Sequence, residues 1–215
     1  MTYVWCALMG YLVGTVNPAY LIARLRGVDI REKGSRNAGA SNALILFGKA
    51  TGILCAVFDV AKAVIIIRVA MYLFPEAPYV FPVTAVACIL GHIFPFALKF
   101  RGGKGLACLG GTVLAYHPPV FLVMLTLEMV VVLITKYICF VPMTASFLFA
   151  VLYGVLERDP VGFLILLAGA LVIFLKHVEN IRRIRKGSEL RISYLWNRDK
   201  EMERMGRVYS DKDLP

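Results

Sequence analysis

The chain has 215 residues, 59% of them hydrophobic, with a mean hydropathy of +0.72. That is too apolar for a soluble domain of ordinary composition and predicts a protein that crosses the membrane several times. The formal charge of +10, from 24 Lys and Arg against 14 Asp and Glu, leaves nucleic acid, an anionic membrane surface and an anionic substrate open until its placement along the chain is read.

Apolar runs fall at about 2–23, 51–74, 79–98, 105–116, 119–135, 138–153 and 161–176. The first has neither a basic leader nor an A-x-A cleavage site, so it is expected to be a retained helix. Its Gly10 and Gly14 have the small-xxx-small spacing of a close helix contact. In the second run, Asp59 and Lys62 stand at i, i+3 and pair either as a tie between helices or as part of a site lining. Arg68, nearer the outer end, is expected to snorkel, and Glu128 in the fifth run has no evident local partner. The shortest run, 105–116, reads as a helix that starts within the protein, where its free amides would meet an anion.

The charges of the connecting loops alternate. Arg24, Arg26, Arg31, Lys33, Arg36 and Lys49 fall in the first loop; the second carries only Glu76; the third carries Lys99, Arg101 and Lys104. The YHPP segment has no Lys or Arg, Lys136 follows, ERDP is net acidic, and the last helix ends in Arg182, Arg183, Arg185 and Lys186. Lys and Arg mark the cytoplasmic side of short loops, so the pattern predicts an all-α integral membrane protein. Its expected architecture is a seven-transmembrane-helix bundle with the N-terminus outside and the C-terminus cytoplasmic. Basic residues so placed serve membrane orientation and anion binding, and no nucleic acid partner is expected. Cys6, Cys55, Cys88, Cys108 and Cys139 all lie in apolar segments without CxxC spacing. They are expected to be small core residues, with no disulfide, metal or cofactor.

Three polar stretches lie on the predicted cytoplasmic face. GSRNAGASN (34–42) offers Ser35, Asn37, Ser41 and Asn42 as hydrogen-bonding groups, with Gly39 for a tight turn. Its plainer reading is a loop that caps a helix starting near Ser41. GHIFPFALKFRGGKG (91–105) is a basic, glycine-rich hairpin whose amides can approach an anion closely. It is not a Walker A loop, because Lys104 is followed by Gly105 where Ser or Thr would hold a metal. His92, beside Pro95, reads as structural before it reads as a ligand. In HVENIRRIRKGSE (177–189), His177, Asn180 and Arg183 share one stripe of a helix that continues out of the membrane. That stripe suits a polyhydroxy phosphate, although the arginines equally suit anionic lipid headgroups.

In order and spacing, these three stretches, with FDVAK in the second helix, resemble the bacterial membrane glycerol-3-phosphate acyltransferases that use acyl phosphate as donor. The resemblance runs from the first helix to Glu189. It implies transfer of a fatty acyl group from acyl phosphate to the 1-hydroxyl of sn-glycerol 3-phosphate, giving lysophosphatidic acid and phosphate, at the cytoplasmic side of a bacterial inner membrane. By the same resemblance, Ser35, Asn37, Gly39 and Asn42 hold the acyl phosphate, Arg101, Gly102, Gly103, Lys104 and Gly105 bind phosphate, and His177 and Asn180 engage the glycerol phosphate. His177, Lys104 and Asn180 are then the expected catalytic residues, and a soluble enzyme that supplies acyl phosphate is an expected partner. The chain departs from the family pattern at Arg36, where glycine is usual, at Ile45, where arginine is common, at Cys108, where threonine is common, and at Tyr137-Ile138-Cys139, where Tyr-Val-Ser is usual. A small anion transporter and a degenerate paralogue with altered substrate are the alternatives. The expected domain layout is one acyltransferase domain over 1–189 and a polar cytoplasmic tail over 190–215, in which Tyr194 and Trp196 either rest on headgroups or are disordered.

Overall fold

The computed structural model describes residues 1–197, 200, 201, 203 and 204; the rest of the expected tail lies outside the described residues. Every regular element among them is helical. Among the described residues up to 197, nine α-helices follow in order: α1 (Thr2–Thr15), α2 (Pro18–Leu25), α3 (Ala40–Phe47), α4 (Lys49–Leu73), α5 (Val80–Ile93), α6 (Leu106–Tyr116), α7 (Pro118–Thr135), α8 (Phe140–Leu156) and α9 (Pro160–Arg185). Short 3-10 turns stand at Phe96–Leu98 and Ile192–Leu195.

The expected first helix is in fact two. Val16 leaves the helical region at φ −65°, ψ 114°, and Asn17 restarts the chain, its Oδ1 accepting the Tyr20 N–H at 2.8 Å with Pro18 at the first helical position. An Asn-Pro pair is a start signal even inside an apolar run. Asp159 and Pro160 open α9 in the same way, the Asp159 carboxylate accepting from the Val161 and Gly162 amides.

Length and composition qualify four segments as membrane-crossing among the described residues: Thr2–Leu25, Val80–Leu98, Pro118–Thr135 and Pro160–Arg185. The 25-residue α4 is long enough but carries Asp59, Lys62 and Arg68, while α6 and α8 are shorter apolar helices. Seven crossings therefore exceed what length and composition establish.

Small residues set the helix spacing. Gly14 of α1 and Gly91 of α5 cross so closely that a Cβ on Gly14 would overlap the Cys88 carbonyl and one on Gly91 the Tyr11 carbonyl. The contact expected of Gly10 and Gly14 is therefore made, against α5. At the far end of the bundle from the basic hairpin, Phe81 stacks on Tyr153 with centroids 5.4 Å apart, and Tyr116 and Phe149 complete the aromatic packing. Glu128, without a partner in the sequence reading, is buried on α7 and accepts from the Thr144 hydroxyl of α8 at 2.7 Å. All five cysteines are buried and free, as core residues should be.

The start of the tail is docked. Tyr194 is buried and its hydroxyl donates to the Ile45 carbonyl at 3.5 Å, and the Ile192 amide donates to the Lys136 carbonyl at 2.9 Å. Trp196 stays exposed.

Candidate active site

Residues from the three polar stretches meet at one end of the bundle. The first stretch is a loop braced from within. Asn42 is fully buried; its Nδ2 donates to the carbonyls of Ile30 (2.9 Å) and Lys33 (3.0 Å), and its Oδ1 accepts the Ser35 amide at 2.9 Å. That amide group is committed to the loop's own backbone, so Asn42 shapes the loop rather than facing a ligand. The helix expected near Ser41 starts at Ala40, with Gly39 at its N-cap at φ −141°. A Cβ here would lie 2.8 Å from Asn37 Nδ2, at the end of a side chain that can turn aside. Ile45 is buried in α3 and Arg36 is exposed with a left-handed φ of 57°.

The hairpin turns back through two left-handed residues, Lys99 (φ 54°) and Phe100 (φ 60°), a conformation that costs a non-glycine residue about 1 kcal/mol or more. Its return strand is tied by the Gly102 amide to the Ile93 carbonyl (3.1 Å) and by the Gly103 amide to the His92 carbonyl (3.0 Å). A Cβ on Gly103 would overlap His92 Nε2, so the imidazole fills the space that glycine leaves. Gly105, at φ 90°, then turns the chain into α6. The first turn of α6 offers unpaired amides beside Lys104, the arrangement that holds anions. Arg101 is exposed.

On α9, His177 and Asn180 are buried and Arg183 is partly buried. His177 Nδ1 lies 2.8 Å from the Ile173 carbonyl. A carbonyl can only accept, so Nδ1 carries the proton and the neutral ring presents Nε2 as an acceptor. Asn180 Oδ1 accepts from the Lys104 ammonium, and its Nδ2 donates to Glu189 Oε1 at 2.6 Å. Glu189 Oε2 accepts from Arg183 Nε at 2.9 Å. Burial, with the Arg183 guanidinium nearby, pushes the Lys104 ammonium down to about 8.

Three contacts close the site. Arg183 Nη1 reaches the Ser35 carbonyl at 3.5 Å, joining the third stretch to the first. Arg31, paired with Asp29 at 2.6 Å, donates through Nη1 to the Leu98 carbonyl at 2.9 Å, joining the first to the hairpin. Gly39 and Gly103 stand close enough that a Cβ on the former would lie 4.0 Å from the latter's Cα. Ser35, Asn37, Gly39, Gly103, Lys104, His177, Asn180 and Arg183 thus belong to one region rich in donors, suited to phosphate groups.

Two relationships are not visible in the sequence. Glu189 was read only as the end of a motif; Gly187, at φ 71°, turns the chain back so that its carboxylate meets Asn180 and Arg183. His92 joins Asp59 and Lys62 across α4 and α5, a meeting that no spacing along the chain reveals. Asp59, His92 and Cys108 place ligand atoms within 4.8 Å of one another, a spacing that could suit a metal ion. Lys62 Nζ, however, lies 2.6 Å from Asp59 Oδ1 and 3.2 Å from His92 Nδ1, so an ammonium group already stands against two of the three.

Residues 4–187 match the family model described as glycerol-3-phosphate acyltransferase. The glycerol-3-phosphate acyltransferase of Thermotoga petrophila is 34% identical over 187 residues, covering 86% of this chain and 94% of that one. The Thermus thermophilus glycerol-3-phosphate acyltransferase is 37% identical over 189 residues, covering 88% and 94%. Among solved structures, the glycerol 3-phosphate form of PlsY, an integral membrane glycerol 3-phosphate acyltransferase, superposes with a TM-score of 0.80 at 32% identity, covering 91% of this chain and 98% of that one. Its lysophosphatidic acid form gives a TM-score of 0.77 at 31% identity, covering 89% and 95%.

Proposed function

The chain belongs to the glycerol-3-phosphate acyltransferase family, membrane enzymes of phospholipid synthesis, and from that premise we propose that its acyl donor is an acyl phosphate. The acyl group passes to the 1-hydroxyl of sn-glycerol 3-phosphate, giving lysophosphatidic acid and inorganic phosphate. The observation that carries the reading is the bond between Lys104 and Asn180 at the mouth of α6. It draws the glycine-rich hairpin and the His177–Asn180 stripe into one region suited to an anion.

An acyl phosphate is already activated, so the protein's task is to orient it against the alcohol and to stabilise charge on the carbonyl and the departing phosphate. Lys104 and the amides of the first turn of α6 hold the phosphate of glycerol 3-phosphate, while the Gly102 and Gly103 amides, committed to the Ile93 and His92 carbonyls, fix the hairpin that presents them. Ser35, Asn37 and Gly39, in the loop shaped by Asn42, face the acyl phosphate. His177 Nε2 accepts a hydrogen bond from the other, non-reacting hydroxyl of glycerol 3-phosphate and so orients the attacking one, whose proton stays free to leave. As the new ester bond forms and the acyl–phosphate bond breaks, the hydroxyl proton passes to an oxygen of the departing phosphate, and no acyl-enzyme is needed. Seven crossings, with the N-terminus outside and all three polar loops on the cytoplasmic side of a bacterial inner membrane, fit the alternation of loop charge. The gathering of these loops at one end of the bundle, without an internal repeat, favours an enzyme over an anion transporter.

Donor identity is tested with purified protein, glycerol 3-phosphate and, in parallel, an acyl phosphate or the corresponding acyl thioester. Acylation from the phosphate alone is the expected result; equal or faster acylation from the thioester would reject the donor assignment.

A further inference from the structure

One buried charged cluster has no part in the reaction as described. Asp59, Lys62 and His92 are 1%, 5% and 3% exposed, inside an otherwise apolar core. Lys62 Nζ lies 2.6 Å from Asp59 Oδ1 and 3.2 Å from His92 Nδ1, and donates to the carbonyls of Gly14 (3.0 Å) and Val16 (2.6 Å). Asp59 Oδ1 takes no well-aligned hydrogen bond, so charge rather than direction holds it. Packed apolar side chains would fill this space at no desolvation cost, which makes stability alone a poor reason for three ionisable groups.

What the cluster touches supplies a better reason. Through His92 it reaches the hairpin: the His92 carbonyl accepts the Gly103 amide, and the ring stands against Gly103. Through Lys62 it grips the last carbonyls before the break at Asn17, and Asn17 Nδ2 donates to the Ala38 carbonyl in the first polar loop at 2.8 Å. The cluster is therefore the joint between the backbones of two substrate-facing loops.

We propose that Asp59, Lys62 and His92 are positioning residues that set the glycine-rich hairpin against the first polar loop, so that Lys104 and the first-turn amides of α6 are already placed for the phosphate of glycerol 3-phosphate. This rests on the hairpin's role as a phosphate site. A hairpin fixed before binding costs less to order when the ligand arrives, so its release appears in KM rather than in the chemical step.

The test uses the full chain, purified, with initial rates measured against glycerol 3-phosphate. The double variant Asp59→Asn/Lys62→Met removes the cluster without stranding a lone buried charge. The expected result is a KM for glycerol 3-phosphate raised about tenfold, with kcat changed less than about threefold. Independently, His92→Ala should raise this KM, and His92→Asn, which puts an amide near the position of Nδ1, should recover part of the loss. A folded double variant with unchanged KM would overturn the proposal. If the double variant does not fold, the histidine pair decides, and equal KM for His92→Ala and wild type overturns it. Lys104→Met, run alongside, separates the two levels: inactive Lys104→Met with normal cluster variants sinks the joint alone, whereas normal Lys104→Met sinks the phosphate site and the joint together.

Discussion

The ammonium of Lys104 donates to Oδ1 of Asn180, 76 residues further along the chain. Lys104 sits among glycines at the start of α6 and Asn180 on the extended end of α9, so this one bond joins the glycine-rich hairpin to the polar stripe of α9. Removing the charge while keeping the stem, Lys104→Met should reduce turnover to background. The check is the initial rate of the folded variant, with folding confirmed by an unchanged elution profile in detergent.

Burial holds the Lys104 ammonium down to about 8 in the ligand-free protein. Phosphate binding needs the charged form, which is present below that pH and lost above it. kcat/KM for glycerol 3-phosphate should therefore be level below pH about 8 and fall about tenfold per unit above it, because this ratio reports the free enzyme. A pH profile flat to pH 10 would contradict the assignment.

His177 donates from Nδ1 to the Ile173 carbonyl, which fixes Nε2 as the working atom. His177→Ala should lower kcat/KM by about 100-fold or more. If the ring only binds the hydroxyl, His177→Gln, whose amide oxygen can stand near Nε2, should recover part of that loss without a new acidic limb in the pH profile. Comparison of the two variants' pH profiles decides this.

Glu189 accepts from both Asn180 Nδ2 and Arg183 Nε. Because a carboxylate only accepts, it holds the Asn180 amide with Oδ1 turned toward Lys104. Glu189→Gln can donate as well as accept, so it loosens that orientation. We expect kcat/KM to fall about tenfold, the scale of a lost charge-assisted hydrogen bond. Steady-state kinetics on Glu189→Gln, with Glu179→Gln as the exposed control, reads the effect.

Gly14 and Gly91 mark the tightest crossing in the fold, where either Cβ would meet backbone. Gly91→Val should destabilise the protein by about 3 kcal/mol or more, or prevent folding, since backbone cannot move aside as a side chain can. Thermal unfolding in detergent, compared with Gly110→Ala at an open position, measures it.

Much of this was legible along the chain because it is local. The three polar stretches, the i, i+3 stripe of His177, Asn180 and Arg183 and the pairing of Asp59 with Lys62 each lie within one short segment. What stayed hidden depends on direction or on distant neighbours. Asn42 reads as a polar loop residue, yet the turn around it points its amide inward to Ile30 and Lys33. The bend at Asn17 hides inside an apolar run, where hydropathy sees continuity and only the Asn-Pro pair signals a restart. His92 meets Asp59 because α4 and α5 lie side by side, and Glu189 reaches Asn180 because Gly187 reverses the chain; neither follows from periodicity.

The most direct measurement incubates purified protein with an acyl phosphate and glycerol 3-phosphate and follows both products together. Equal molar amounts of inorganic phosphate and lysophosphatidic acid, both lost in Lys104→Met, are the predicted result. Phosphate without acylated product, or full acylation by Lys104→Met, would contradict a single pocket built from the three loops.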